Sequence, residues 1–272
     1  MVAICPDDPD LVDAFDELPL WSSPFGLELL DAVRMRRGMR VLDVGCGTGF
    51  PALELAGRLG ATGRVVGIDP WRAALARARA KATCHGLTNV ELVCGTAEAL
   101  PFDDASFDAV VSNNGLNNVA DIGRALAECH RVLAPGGQLV ATMNLPETMR
   151  ELYGPFAGIL REREGEPGVL RLRDHIAARR APVAETTIRL QAAGFTVDRV
   201  SERSFTLRFV DGTALFEYPF VRLAFLEPWR AVPQPQHVDS VMAELRDRLD
   251  RAAGHAGLDL TIPFACFDAR RP

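Results

Sequence analysis

Residues Arg40 to Phe50 read Arg-Val-Leu-Asp-Val-Gly-Cys-Gly-Thr-Gly-Phe, and the rest of the chain is organised around them. Val41, Leu42 and Val44 form the aliphatic run of a strand buried on both faces. Gly45, Gly47 and Gly49 follow at once. Pro51, Ala52, Leu53, Leu55, Ala56 and Leu59 then have the spacing of a helix whose first turn accepts proline. Strand, glycine turn and helix make a nucleotide-binding entrance. The chain must reverse sharply, bring backbone within contact distance of a ligand and present free N–H groups at the helix start.

A dinucleotide site wants G-x-G-x-x-G, but its third glycine position is Phe50 here and the glycines fall at 45, 47 and 49. With Asp43 two positions before the first glycine, the stretch resembles motif I of the class I methyltransferases that use S-adenosylmethionine, of the UbiE-like kind. The resemblance implies that the backbone of Gly45 meets the amino acid end of the cofactor, that the glycine turn accommodates its ribose and sulfonium, and that Asp43, Cys46 and Gly47 belong to the same cofactor-binding set. A glycine-rich turn without a ligand is the plainer alternative.

Further matches follow in order. Arg64 to Asp69 reads as a second strand, and Asp69 lies 20 positions after Gly49, the separation that sets an acidic side chain beside a ribose. A helix N-cap is its plainer role. The family places an aliphatic residue against the adenine after this acid, and here Pro70 and Trp71 take the place. Gly95-Thr-Ala-Glu-Ala-Leu-Pro-Phe102 resembles the family's G-D-A-E-x-L-P-F, which implies adenine contacts from Thr96, Ala97 and Glu98. Thr96, standing for the usual acid, accepts more weakly than a carboxylate. Arg131 to Gly137 matches the family's R-V-L-x-P-G-G turn.

Strand four, Phe107 to Asn113, leads into an asparagine-rich turn that places Asn113 and Asn114 near the cofactor. The D/N/S-P-P-Y/F box of many amide-nitrogen methyltransferases is missing there. An acidic metal ligand of the catechol type is also replaced by Asn113, so no metal is expected. A solvated turn is the alternative.

The resemblance and the strand–helix alternation imply an α/β, doubly wound, mostly parallel seven-stranded sheet of Rossmann-like type, with an antiparallel last strand and helical insertions. Residues 1–39 are read as an N-terminal flap and helix, with Trp21 and Phe25 as acceptor contacts or as packing residues. Residues 40–143 are the cofactor core and 144–180 a helical lid. Residues 181–272 complete the sheet around a second insertion at about 212–257. The lid arginines, among them Arg171, Arg173, Arg179 and Arg180, alternate with acids and read as a solvated face.

Composition sets the remaining bounds. The 272 residues carry a net charge of −6, so nothing global draws the chain to nucleic acid. The six cysteines have no zinc-ligand spacing, the N-terminus lacks the pattern of a signal peptide and no apolar run is long enough to span a membrane. A cytoplasmic protein is expected, with S-adenosylmethionine as cofactor and S-adenosylhomocysteine as product. The aromatic insertions favour a small-molecule acceptor with apolar or aromatic surface, and the same residues equally suit a hydrophobic core under the insertions or a homodimer contact. Transfer by proximity needs no dedicated base; Tyr153 and His175 are the candidates if one is used, and Tyr153 is also a candidate acceptor contact. A fold that binds the cofactor but acts as a regulatory partner is the alternative to an enzyme.

Overall fold

The computed structural model describes residues 9–16 and 21–272. The middle of the expected flap, residues 17–20, and the acidic start of the chain, residues 1–8, lie outside the described residues. Seven strands form one sheet: β1 (Arg40–Val44), β2 (Arg64–Asp69), β3 (Val90–Cys94), β4 (Phe107–Asn113), β5 (Leu133–Asn144), β6 (Thr196–Phe209) and β7 (Leu258–Arg270), in the order β3-β2-β1-β4-β5-β7-β6. The pairs through β5 are parallel, and β7 runs antiparallel to both β5 and β6. Val41, Leu42 and Val44 are at most 1% exposed, as a strand covered by helices on both faces requires.

Contacts divide the chain into two units. The first comprises residues 1–143, 182–203 and 264–272. It carries α1 (Pro9–Asp16), α2 (Ser22–Ala32), α3 (Ala52–Leu59), α4 (Arg72–Cys84) and α5 (Ile122–Val132). Asp121 caps α5 by accepting from the Arg124 N–H at 3.0 Å. The core sits under the glycine turn, where Leu29 and Leu30 of α2, Leu55 and Ala56 of α3 and Leu75 of α4 close on Val41, Val65, Ala109, Val111 and Val140.

The second unit comprises residues 144–181 and 204–263, so the two insertions form one body. Its α6 (Arg150–Ala177) is two helical stretches joined at Gly165, whose φ of +68° and ψ of −160° are not helical, two residues before Pro167, in keeping with the glycine-interrupted helical stretches that the sequence suggests. The first unit's α7 (Val183–Ala192) precedes β6. The second unit continues with α8 (Gly212–Glu217), α9 (Pro219–Ala224), α10 (Leu226–Arg230) and α11 (Val238–Ala253). The side chain of Glu164 of α6 is fully buried and bonds Arg171, His237 Nδ1 and the Gln234 N–H; Arg163 and Arg248 pair with Glu244 of α11. No helix among the described residues is long and apolar enough to cross a membrane.

Candidate cofactor site

The sheet order reverses between β1 and β4, so the connections leaving these neighbours diverge and open a crevice at their carboxyl ends. Gly45 and Gly47 enter it with φ of +77° and +51°, left-handed values that side-chain-bearing residues rarely adopt. A Cβ on Gly47 would meet nothing within 4 Å, leaving a cradle of bare backbone. Gly49 has a different task, because a Cβ there would strike Leu53 at 2.8 Å and approach Ala78 of α4 at 3.2 Å. Phe50, which replaces the dinucleotide glycine, lays its ring where a Cβ on Gly26 of α2 would be, at 2.1 Å.

Asp69 ties the turn to β2. Its Oδ2 accepts from the Gly47 N–H at 2.9 Å and its Oδ1 from the Trp71 N–H at 2.8 Å. Each oxygen keeps a lone pair for a further donor. Burial raises its pKa, outweighing the two N–H groups that favour the charged form. Asp43 is fully buried at the strand end below the turn, and neither of its carboxylate oxygens has a hydrogen-bond partner among the described residues. Burial pushes its pKa up to about 8; the nearby Ala52 N–H opposes this without reaching hydrogen-bond geometry, and the Asp69 charge adds to it.

Sequence reasoning missed Gly115, in the turn after β4. A Cβ there would lie 2.4 Å from the Val44 carbonyl oxygen and 3.0 Å from the Gly45 Cα, while one on Gly45 would lie 2.7 Å from the Gly115 Cα. The turns after β1 and β4 thus touch backbone to backbone. The signal was a glycine in an asparagine-rich turn, whose need for glycine lies across the sheet. Asp16 was also absent from the expected site. It pairs with Arg77 at 2.8 Å and with Lys81, and meets the Thr48 hydroxyl of the glycine turn. Burial opposes ionisation of Asp16, but these partners hold its pKa below the ordinary range. Phe15 stands edge-on to Trp71 with ring centres 5.5 Å apart, so α1 braces both the glycine turn and the Trp71 turn.

The other expected residues divide by what their side chains do. Ala97 is buried and Thr96 and Pro70 are exposed. Glu98 accepts from the Ala120 N–H at 2.8 Å and the Asp121 N–H at 3.3 Å, fastening its loop to the start of α5. The Asn113 amide donates to the Ser22 carbonyl at 3.1 Å and its oxygen accepts from the Thr142 hydroxyl at 2.9 Å, so its polar atoms hold α2 to the sheet. Asn114 adopts φ +58°, and its buried Nδ2 has no hydrogen-bond partner among the described residues. The Cys46 thiol packs where a Cβ on Gly67 would be, at 2.8 Å, and burial raises its pKa, so Cys46 offers the crevice backbone rather than sulfur.

Phe25 corrects the expectation of an acceptor contact: it is 0% exposed, its ring 4.6 Å from that of Phe264 and 5.8 Å from that of Trp21, so it is a core residue. Tyr153 and His175 belong to the second unit. Tyr153 is 5% exposed and accepts from Trp229 Nε1 at 3.0 Å and Arg180 Nη2 at 3.1 Å. His175 has its pKa lowered to about 4 by burial and by the charges of Arg180 and Arg179. Arg180 corrects the solvated-face reading, because it is only 8% exposed. A cavity of about 440 Å³ beneath Phe102 and Phe107, lined also by Val66 and Val93, lies at the amino ends of the strands, away from the crevice.

A strand-order reversal, a bare-backbone glycine turn and an acid at the end of β2 make a nucleotide-cofactor crevice, and with β7 antiparallel between β5 and β6 the seven-stranded sheet is that of the class I S-adenosylmethionine-dependent methyltransferases. Residues 42–141 match the family model described as a methyltransferase domain, and that segment belongs to this family. The demethylmenaquinone methyltransferase of Listeria monocytogenes is 45% identical over 112 residues, covering 41% of this chain and 47% of the relative. The chain therefore spans about half the length of the curated relatives it matches. The YcgJ protein of Bacillus subtilis aligns over 92% of this chain and 98% of its own, with TM-score 0.63 and 20% identity. The [4+2]-cyclase SpnF aligns over 92% of this chain and 80% of its own, with TM-score 0.56 and 26% identity.

S-adenosylmethionine is the cofactor of this domain. The structure fits it on two observations: the cradle at Gly47 admits a ligand against backbone, and the orphaned Asp43 carboxyl provides an anionic or neutral oxygen pair beneath a ligand that carries positive charge.

Proposed function

We propose that the protein transfers the methyl group of S-adenosylmethionine to a small molecule with apolar or aromatic surface, by proximity and orientation and without a metal. The observation that carries this reading is the Asp69 clamp, which holds the bare Gly47 turn open while keeping a lone pair on each oxygen for the ribose hydroxyls. When bound, the cofactor supplies a methyl group already activated on a sulfonium, which an acceptor nucleophile takes in one displacement that leaves S-adenosylhomocysteine and a proton.

The chain's own contribution is positional. Backbone at Gly45, Cys46 and Gly47 would receive the amino acid end and Asp69 the ribose. The loop at Thr96 and Ala97, fixed to α5 through Glu98, would receive the adenine. Orienting a nucleophile in line at about 3 to 3.5 Å supplies much of the acceleration of such a transfer. The names of the curated relatives make a quinone-derived acceptor the first choice to try.

The test is formation of S-adenosylhomocysteine and of a methylated product, by mass spectrometry, with a reduced demethylmenaquinone analogue and a panel of phenols. Product with any of them supports methyl transfer. Tight cofactor binding without product across the panel overturns it, in favour of a cofactor-binding partner or of another reaction on the same fold, as the neighbour named a cyclase illustrates.

A further inference from the structure

The second unit contains a buried cation whose hydrogen-bond and ring partners among the described residues are neutral. Arg180 follows the end of α6 and is 8% exposed. Its Nη1 donates to the Thr148 carbonyl at 3.2 Å and its Nη2 to the Tyr153 hydroxyl at 3.1 Å, with the guanidinium carbon 4.9 Å from the centre of the Tyr153 ring. Among the described residues Arg180 forms no ion pair. Its neighbours in the same unit differ: Arg163 and Arg248 meet Glu244, Arg171 meets Glu164 and Arg230 meets Asp239. A buried charge is costly unless an opposite charge and hydrogen bonds compensate it, and here only the hydrogen bonds and the ring are present.

The surroundings are arranged to donate. The Tyr153 hydroxyl accepts from both Arg180 and Trp229 Nε1, so its own proton is left to give to a third group. The Tyr153 and His175 ring centres are 6.2 Å apart. His175 is neutral at neutral pH, because burial and the charges of Arg180 and Arg179 lower its pKa to about 4. A guanidinium with donors to spare and a hydroxyl proton without an acceptor make the complement of a carboxylate.

We propose that Arg180 and Tyr153 form a binding site for a small carboxylate-bearing molecule, with the guanidinium as its charge partner and the tyrosine hydroxyl as a second donor. The ligand is either a methyl acceptor held by its carboxylate or an effector, and both present the same group. The inference concerns the second unit alone and stands whether or not the chain transfers methyl groups.

The experiment titrates the intact protein with acetate and benzoate, using benzamide as the uncharged isostere, by calorimetry and by NMR of the His175 ring and the Trp229 indole N–H. Benzoate or acetate should bind roughly tenfold to a hundredfold more tightly than the neutral amide, as charge-assisted hydrogen bonds allow. The bound anion should raise the His175 pKa and shift the Trp229 signal. Arg180→Met should abolish the preference for the anion, and Arg180→Lys should keep only part of it because the planar fork is lost. The wild-type NMR titration needs no variant, so a misfolded Arg180→Met leaves the test intact. Equal binding of benzoate and benzamide, a preference that survives Arg180→Met, or a His175 pKa that does not move would each overturn the site. Repeating the titration with 4-hydroxybenzoate and S-adenosylmethionine separates the two sources: a methylated product marks an acceptor and binding without product an effector, and the site stands in either case.

Discussion

The buried Asp43 carboxyl should make stability fall with pH. Its folded pKa of about 8 lies well above the ordinary aspartate value near 4, so between these values the folded chain holds a proton that the unfolded chain has released. Its contribution is complete below the unfolded pKa and is lost as pH rises through the folded one. From pH 6.5 to 8.5 the loss attributable to this group alone is about 2 kcal/mol, obtained by integrating the single-site titration. For a chain of this size that is a fall in Tm of roughly 4 to 8 °C. His130 and His175, whose pKa values are lowered mainly by burial, lose their influence above the unfolded histidine value and are common to both proteins compared below. The assay is denaturant unfolding of the cofactor-free protein at pH 6.5, 7.5 and 8.5, beside Asp43→Asn, which keeps the shape and cannot ionise. The wild-type curve should descend relative to the variant by about 2 kcal/mol across the window, and saturating S-adenosylmethionine should flatten it by favouring the anion. Parallel curves for the two cofactor-free proteins would refute the reasoning.

Three further outcomes are expected. Asp69→Ala should weaken cofactor binding about tenfold to a hundredfold, the worth of a hydrogen-bonded charged group; unchanged affinity by calorimetry in the folded variant would remove Asp69 from the site. Gly47→Ala should cost about 1 kcal/mol of stability, because φ is +51°, while abolishing cofactor binding; a folded variant with normal affinity would place the cofactor elsewhere. Gly115→Ala should destabilise by about 1 to 3 kcal/mol or more, since its methyl meets backbone rather than a yielding side chain, and a melting temperature within a degree of wild type would show that the two turns separate freely.

Much of the first unit was legible because its signals are local. A buried strand, three glycines and an acid at the next strand's end each follow from the backbone conformation they permit, and the seven-stranded sheet was implied from there. Individual roles were harder to read. Asn113 stood at the expected strand end, yet the partners that claim its amide are Ser22 and Thr142, 91 and 29 residues away. Phe25 looked like a ligand-facing aromatic because its partner Phe264 comes from the far end of the chain. In the segment 144–180 the spacing of charges predicted solvent for the arginines. Glu244, which pairs with Arg163, comes from the other insertion; Glu166 and Glu164 pair with Arg161 and Arg171 from within the same one, and among the described residues Arg180 has no such acid. The sequence also leaves open whether Phe205 to Phe209 continues the sixth strand or stands apart. Residues 196–209 make one strand, in which exposed and half-buried positions alternate only from Ser204 to Phe209, beyond the exposed run Glu202-Arg203-Ser204.

The contact between Gly45 and Gly115 makes the floor of the crevice a joint with no padding. Neither turn can acquire a side chain without prising the other away, so a change at position 115, in a segment that carries no recognisable motif, would alter the shape presented to the cofactor as directly as a change in the glycine turn itself. Engineering this crevice to accept a bulkier cofactor analogue therefore has to begin with both turns together, treated as a single mechanical part.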